Sequence, residues 1–139
     1  MTNKELQEKY LQIQFLEQQL AQLQQQISIV EQQIMDFKQV ENSLDNLSKT
    51  KKNTKLLSSL GLGIFLETRL ENNKEVLMNV GSRVVVKKPI QEAKRVLKNQ
   101  TEDLKETLKK LQEQLNQNIQ LITSLTKEIE TSNSKLKKK

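Results

Sequence analysis

At 139 residues the chain has the length of one domain, and with 35% hydrophobic and 3% aromatic content it suits a narrow apolar seam between helices better than a large core. It contains no Cys and no His, which excludes a thiol nucleophile, a disulfide framework, and both the commonest general base and the commonest metal ligand. The net charge of +6 sits in two clusters, Lys49, Lys51, Lys52, Lys55 and Lys135, Lys137, Lys138, Lys139, leaving 15 basic residues against 17 acidic ones elsewhere.

These absences point away from an enzyme, and no cofactor or metal is expected. Gly61-Leu62-Gly63 runs into Ile64-Phe65-Leu66-Glu67, which is not a phosphate-binding loop. The N-terminus, MTNKELQEKY, lacks the apolar core of a signal peptide, and no run approaches the ~18 apolar residues of a membrane span. The expectation is a soluble protein that stays in the compartment where it is made.

From Asn3 to about Ser48, apolar residues hold a heptad spacing. Leu6, Ile13, Leu20, Ile27 and Ile34 fall at position a, and Leu16, Leu23, Val30, Phe37 and Leu44 at d, with breaks at Lys9, Glu41 and Ser48. Such persistence predicts a coiled-coil helix, residues 3–48, and ~45 residues would make a rod of roughly 65–70 Å. Tyr10, Leu11 and Phe15 fall off the seam, as do Ile29, Met35, Val40 and Leu47. Near the start of the chain, either the register frays, or Tyr10 and Phe15 pack on the partner helix, or the cluster forms a binding surface.

Residues 53–88 hold all three glycines and the densest β-branched run. Ile64, Leu66, Thr68 and Leu70 alternate with Phe65, Glu67, Arg69 and Glu71, and Val76, Met78 and Val80 alternate next. Asn72-Asn73 tolerate positive φ for a tight turn, Gly81-Ser82 suit a II′ hairpin turn, and Val84-Val85-Val86 complete the last strand. About four short strands in two successive hairpins are expected. With open edges and apolar faces they are marginal alone. Either they fold back onto their own helix ends, or they pair with strands of other chains to close a barrel. The second is the more economical, and it predicts an obligate oligomer.

Pro89 suits the first turn of a second helix, residues 89–134. Its seam runs through Ile90, Leu97, Leu104, Leu111, Asn118 and Leu125 on one set and Leu108, Leu115, Ile122, Ile129 and Leu136 on the other. Antiparallel pairing would bring Leu136 near Leu6. Asn118 at a core position either fixes register or leaves the seam locally wet. Ile119 and Leu121 lie off the seam, and the final SNSKLKKK should fray. The fold class is therefore α+β, mainly α: a long antiparallel coiled-coil hairpin with two central β-hairpins that join an oligomeric β-barrel.

This layout resembles the alpha class of prefoldin subunits over nearly the whole chain. Glu75 to Lys88, EVLMNVGSRVVVKK, is similar to the family's V-hydrophobic-x-V-G-x-x-hydrophobic-hydrophobic-x-K stretch, which leads into a helix with an early Ala, here Ala93. Leu57-Ser58-Ser59-Leu60 stands where the family often has Leu-Val-Pro-hydrophobic, so that proline is absent. Two hairpins rather than one is a trait of the alpha class. The resemblance implies a cytoplasmic, ATP-independent chaperone, a hexamer of two alpha and four beta subunits that holds non-native chains at its coiled-coil tips and passes them to a group II chaperonin. It implies client contact at Leu6, Tyr10, Leu11, Phe15, Ile129 and Leu136. Assembly is expected through Leu60, Leu62, Ile64, Leu66, Val76, Met78, Val80, Val84 and Val86. The alternative is an alpha-like scaffold that forms filaments without client transfer. Specific nucleic-acid binding is not expected, because no stacking aromatics lie among the lysines and Arg is scarce.

Overall fold

A computed structural model describes residues 2–137, with side chains as far as residue 135. In chain order, helix α1 spans Asn3–Lys49, strands β1 Lys55–Gly61, β2 Ile64–Arg69, β3 Glu75–Gly81 and β4 Val84–Pro89 follow, and helix α2 spans Ile90–Lys137. Two compact units share these elements. One, the end unit, comprises Met1–Gln33 and Leu104–Lys139, and the other, the central unit, Ile34–Asp103.

Helix α1 opens on a capping box. The Glu5 amide donates to Thr2 Oγ1 at 3.3 Å, and the Thr2 amide donates to a Glu5 carboxylate oxygen at 3.2 Å. Two of the helix's otherwise orphaned donors are thereby satisfied. The heptad prediction maps onto burial: each a and d residue from Leu6 to Leu44 is half-buried or buried, with Val30 and Ile34 the most enclosed. In the end unit, Lys9 forms an ion pair with Glu128, and Asn118 Nδ2 donates to Gln19 Oε1 at 3.4 Å. These two pairs fix the antiparallel register. By that register Leu6 faces the turn at Thr131, and the side chain of Leu136 lies outside the described residues.

In the central unit, Ile90, Ala93, Leu97 and Thr101 recur at spacings of three and four and form the most deeply buried stripe of α2. Thr101 is satisfied by donating Oγ1 to the Leu97 carbonyl at 2.8 Å. Pro89 is the last strand residue rather than the first helical one, and it pairs with Glu75 across the hairpin.

The two hairpins share one construction. β1 pairs antiparallel with β2 and β3 with β4, in two separate two-stranded sheets. In each, the register slips by a residue just before a glycine, between Ser59 and Gly61 and between Asn79 and Gly81. Gly61 (φ 102°) and Gly81 (φ 117°) take a backbone that a β-carbon would strain. Their amides donate to Ser59 Oγ at 3.2 Å and Asn79 Oδ1 at 2.9 Å. The loops that follow are Leu62-Gly63 and Ser82-Arg83, all four residues at positive φ, as a type I′ turn requires. The second turn therefore lies one residue beyond the expected Gly81-Ser82 and is not of II′ type, because Gly81 is taken up by the bulge.

Asn72 and Asn73 also act differently from expectation. Neither has positive φ, and no tight turn forms between β2 and β3. Asn72 Oδ1 instead accepts from the amides of Lys74 (2.9 Å) and Glu75 (3.0 Å), and Asn73 Nδ2 donates to the Thr50 carbonyl at 3.0 Å. Asn72 thus shapes the link between hairpins, and Asn73 ties it to the segment that follows α1, where Asn53 takes the left-handed backbone (φ 71°).

Candidate functional site

In the end unit, the helix pair hides its seam and exposes rings beside it. Leu6, Ile13 and Leu16 on α1 and Ile122 and Leu125 on α2 are half-buried. Tyr10, Leu11 and Phe15 stay exposed, at 48%, 64% and 61%. Register does not fray there, since α1 is continuous from Asn3 and Lys9 holds Glu128. Among the other expected contact residues, Ile129 is only 5% exposed, so it packs the seam and offers little surface. That follows from its heptad position.

Two open grooves border these rings. Phe15 and Leu16 line one with Leu121 and Leu125, a largely apolar hollow of about 380 Å³. Its one acid, Glu128, is already held by Lys9. Tyr10, Ile13 and Ile129 line the other, with Glu17 and Glu130 at its rim. Either hollow suits one or two side chains of an extended segment and neither suits a folded domain. Leu121, 53% exposed, belongs with Phe15 although the two are far apart in sequence. Its place off the seam was legible, but its neighbour depends on the interhelical register.

The hairpins form the second candidate surface. Apolar side chains are exposed on both faces: Leu60, Ile64 and Leu66 with Leu57 and Phe65 in the first, Val80, Val84 and Val86 with Leu77 and Val85 in the second. Leu62 is fully exposed at its turn. Val76 and Met78 are half-buried. With two strands per sheet, every strand is an edge. Apart from Val76 and Met78, the chain leaves these residues open, which counts against the fold-back alternative.

Charges near the base of the hairpins are partly paired. Lys94, which continues the Leu108 set of α2 by sevens, forms an ion pair with Asp45. The hydrogen bond from Lys94 is the chief cause holding the Asp45 carboxyl below its ordinary range. Glu41, at a seam position, keeps one carboxylate oxygen buried with no hydrogen-bond partner. Lys49, Lys51, Lys52 and Lys55 are all exposed, and Lys55 lies 3.4 Å from Glu67 across its hairpin. Among the described residues, no helix is long and apolar enough to cross a membrane.

Known proteins share this arrangement. The Prefoldin subunit family model matches residues 16–135. Prefoldin subunit alpha of Archaeoglobus fulgidus is 26% identical over 116 residues, 84% of this chain and 85% of the relative. That of Methanobrevibacter smithii is 32% identical over 97 residues, 70% of this chain and 66% of the relative. That of Methanococcus vannielii is 24% identical over 128 residues, covering 92% and 86%. Among solved structures, a filamentous PFD from Methanocaldococcus jannaschii, seen by cryo-electron microscopy, matches in fold with a TM-score of 0.75 at 18% identity. The match covers 84% of this chain and 96% of that one. Hairpins, helix pair and sequence agree: the chain belongs to the prefoldin subunit family, a family of chaperones and not of enzymes, and the relatives named here are alpha subunits.

Proposed function

We propose that this chain is one subunit of an ATP-independent holding chaperone that works in the cytoplasm. The whole chain acts as a single prefoldin-like domain. Its hairpins join those of other prefoldin subunits in a β-barrel body, two alpha subunits to four beta, through Leu60, Leu62, Ile64, Leu66, Val76, Met78, Val80, Val84 and Val86. The observation that carries the reading is the exposure of apolar residues on both faces of two-stranded sheets. Burying them at ~25 cal/mol per Å² is a driving force that the isolated chain forgoes.

The end unit binds non-native polypeptides through Tyr10, Leu11, Phe15 and Leu121, with Leu6 at the margin, and delivers them to a group II chaperonin. Each contact is small and weak, but several fingers on one body raise the effective concentration of the next contact. Open apolar patches without a shaped cavity also favour promiscuity.

Co-expression with a beta-class subunit, mass determination, and a refolding assay of a denatured client without ATP test the reading together. A closed complex near 2:4 that suppresses client aggregation is expected. Tyr10→Ser with Phe15→Ser should weaken suppression and leave assembly intact, and unchanged suppression counts against the tip assignment. A second reading, a filament-forming scaffold without client transfer, is favoured by the filamentous state of the M. jannaschii protein that shares the fold. Long polymers with or without the beta partner would support it.

A further inference from the structure

We propose that the Tyr10 groove selects non-native segments in which an apolar side chain neighbours Lys or Arg, and that Glu17 and Glu130 set this preference. The inference rests on the client-binding reading above and adds the chemistry of the segment bound.

The end unit presents unlike surfaces around one helix pair. The Phe15 groove is apolar, and the carboxylate on its border is neutralised by Lys9. A third hollow, on α2, is bordered by Lys127 and Lys135 and is basic. The Tyr10 groove differs from both. Ile13 and Ile129 supply apolar lining, and one carboxylate from each helix stands at the rim, with no Lys or Arg among its lining residues. Both acids are exposed, and among the described residues neither is in an ion pair. An apolar side chain seated between the helices therefore brings its sequence neighbours to Glu17 and Glu130. The half-exposed Tyr10 ring adds a face on which a cation can rest.

The net charge of +6 would by itself disfavour a cationic segment. At about 0.1 M salt, however, fields decay over roughly 10 Å, so the nearest charges decide. Two exposed ion pairs of ordinary strength change affinity by roughly threefold to tenfold. That is enough to rank clients without losing breadth.

The test uses the full chain and labelled peptides that share one apolar core, flanked by Lys, by Gln or by Glu, with binding read by fluorescence anisotropy. At about 0.1 M salt the Lys-flanked peptide should bind roughly threefold to tenfold tighter than the Glu-flanked one, and the ratio should shrink at higher salt. Glu17→Gln with Glu130→Gln should bring the ratio near one and leave the Gln-flanked affinity unchanged. Glu17→Lys with Glu130→Lys should invert the order, with helical circular dichroism confirming that each variant folds. Phe15→Ser should weaken the Gln-flanked peptide yet keep the charge preference. Equal affinity of the wild type for Lys- and Glu-flanked peptides, or a ratio that survives Glu17→Gln with Glu130→Gln, overturns the inference. If none of the three peptides binds, the client-binding reading itself fails and takes the inference with it.

Discussion

The seam of the helix pair and the faces of the hairpins contain the same kinds of residue and treat them oppositely. Leu97, Ile34 and Ile129 are under 10% exposed, whereas Leu57, Leu60 and Leu77 are more than 65% exposed. The cause is geometric. A helix with one apolar stripe is satisfied by one partner helix, which the chain itself provides. A two-stranded ribbon has two faces and two edges, and this chain leaves most of that surface open. The helices therefore complete a fold within one molecule, and the hairpins state a requirement for others.

The sharpest way to break that contrast is to charge the hairpins. Leu66→Asp with Val86→Asp should abolish assembly with partner subunits outright, because each carboxylate would be buried unpaired at a cost of several kcal/mol. Helical circular dichroism of the lone chain should not change. Sedimentation that still shows a full complex would sink the assignment. Next in size, Leu97→Ala should remove about 2–4 kcal/mol from the stability of the unassembled chain, while Leu57→Ala in the same chain should cost under about 0.5 kcal/mol. Chemical denaturation of both variants would compare the two regions directly.

A gain is expected at Glu41. Replacing a seam carboxylate that has a buried, unpartnered oxygen by Leu should add about 1–2 kcal/mol. A lower denaturation midpoint for Glu41→Leu would mean that the oxygen has a partner in solution. The smallest effect concerns acid. The Asp45 carboxyl is held below its ordinary value in the folded chain, so its contribution is present above that value and lost as pH falls through the folded one. Asp45→Asn should therefore lower the melting temperature slightly at pH 7 and leave it unchanged in strong acid, which flattens the acid profile. An unchanged acid profile would show that the Lys94 pair contributes nothing measurable.

Which parts were legible follows from how local each signal is. Ile13, Leu20, Ile27 and Ile34 announce the seam through spacing alone, and burial follows spacing closely. The same spacing puts Ile129 in the seam, which is why little of it is exposed and it only lines the floor of the Tyr10 groove. Gly81 announces a hairpin but not its exact phase, since a glycine serves a bulge as well as a turn. Nothing in Ser82-Arg83 signals a left-handed backbone. Pairings such as Lys94 with Asp45, and the meeting of Phe15 with Leu121 beside one groove, depend on the interhelical register. Composition does not carry that register. The capping box at Thr2 and Glu5 is a local signal too, a short T-x-x-E motif just ahead of the heptad pattern.

Tyr10 has a practical consequence. It is the chain's one tyrosine, and there is no tryptophan. Tyrosine fluorescence from the subunit therefore comes from a single ring beside one groove. Anything that settles there alters that light, so occupancy can be followed without a dye, provided the guest has neither tyrosine nor tryptophan of its own.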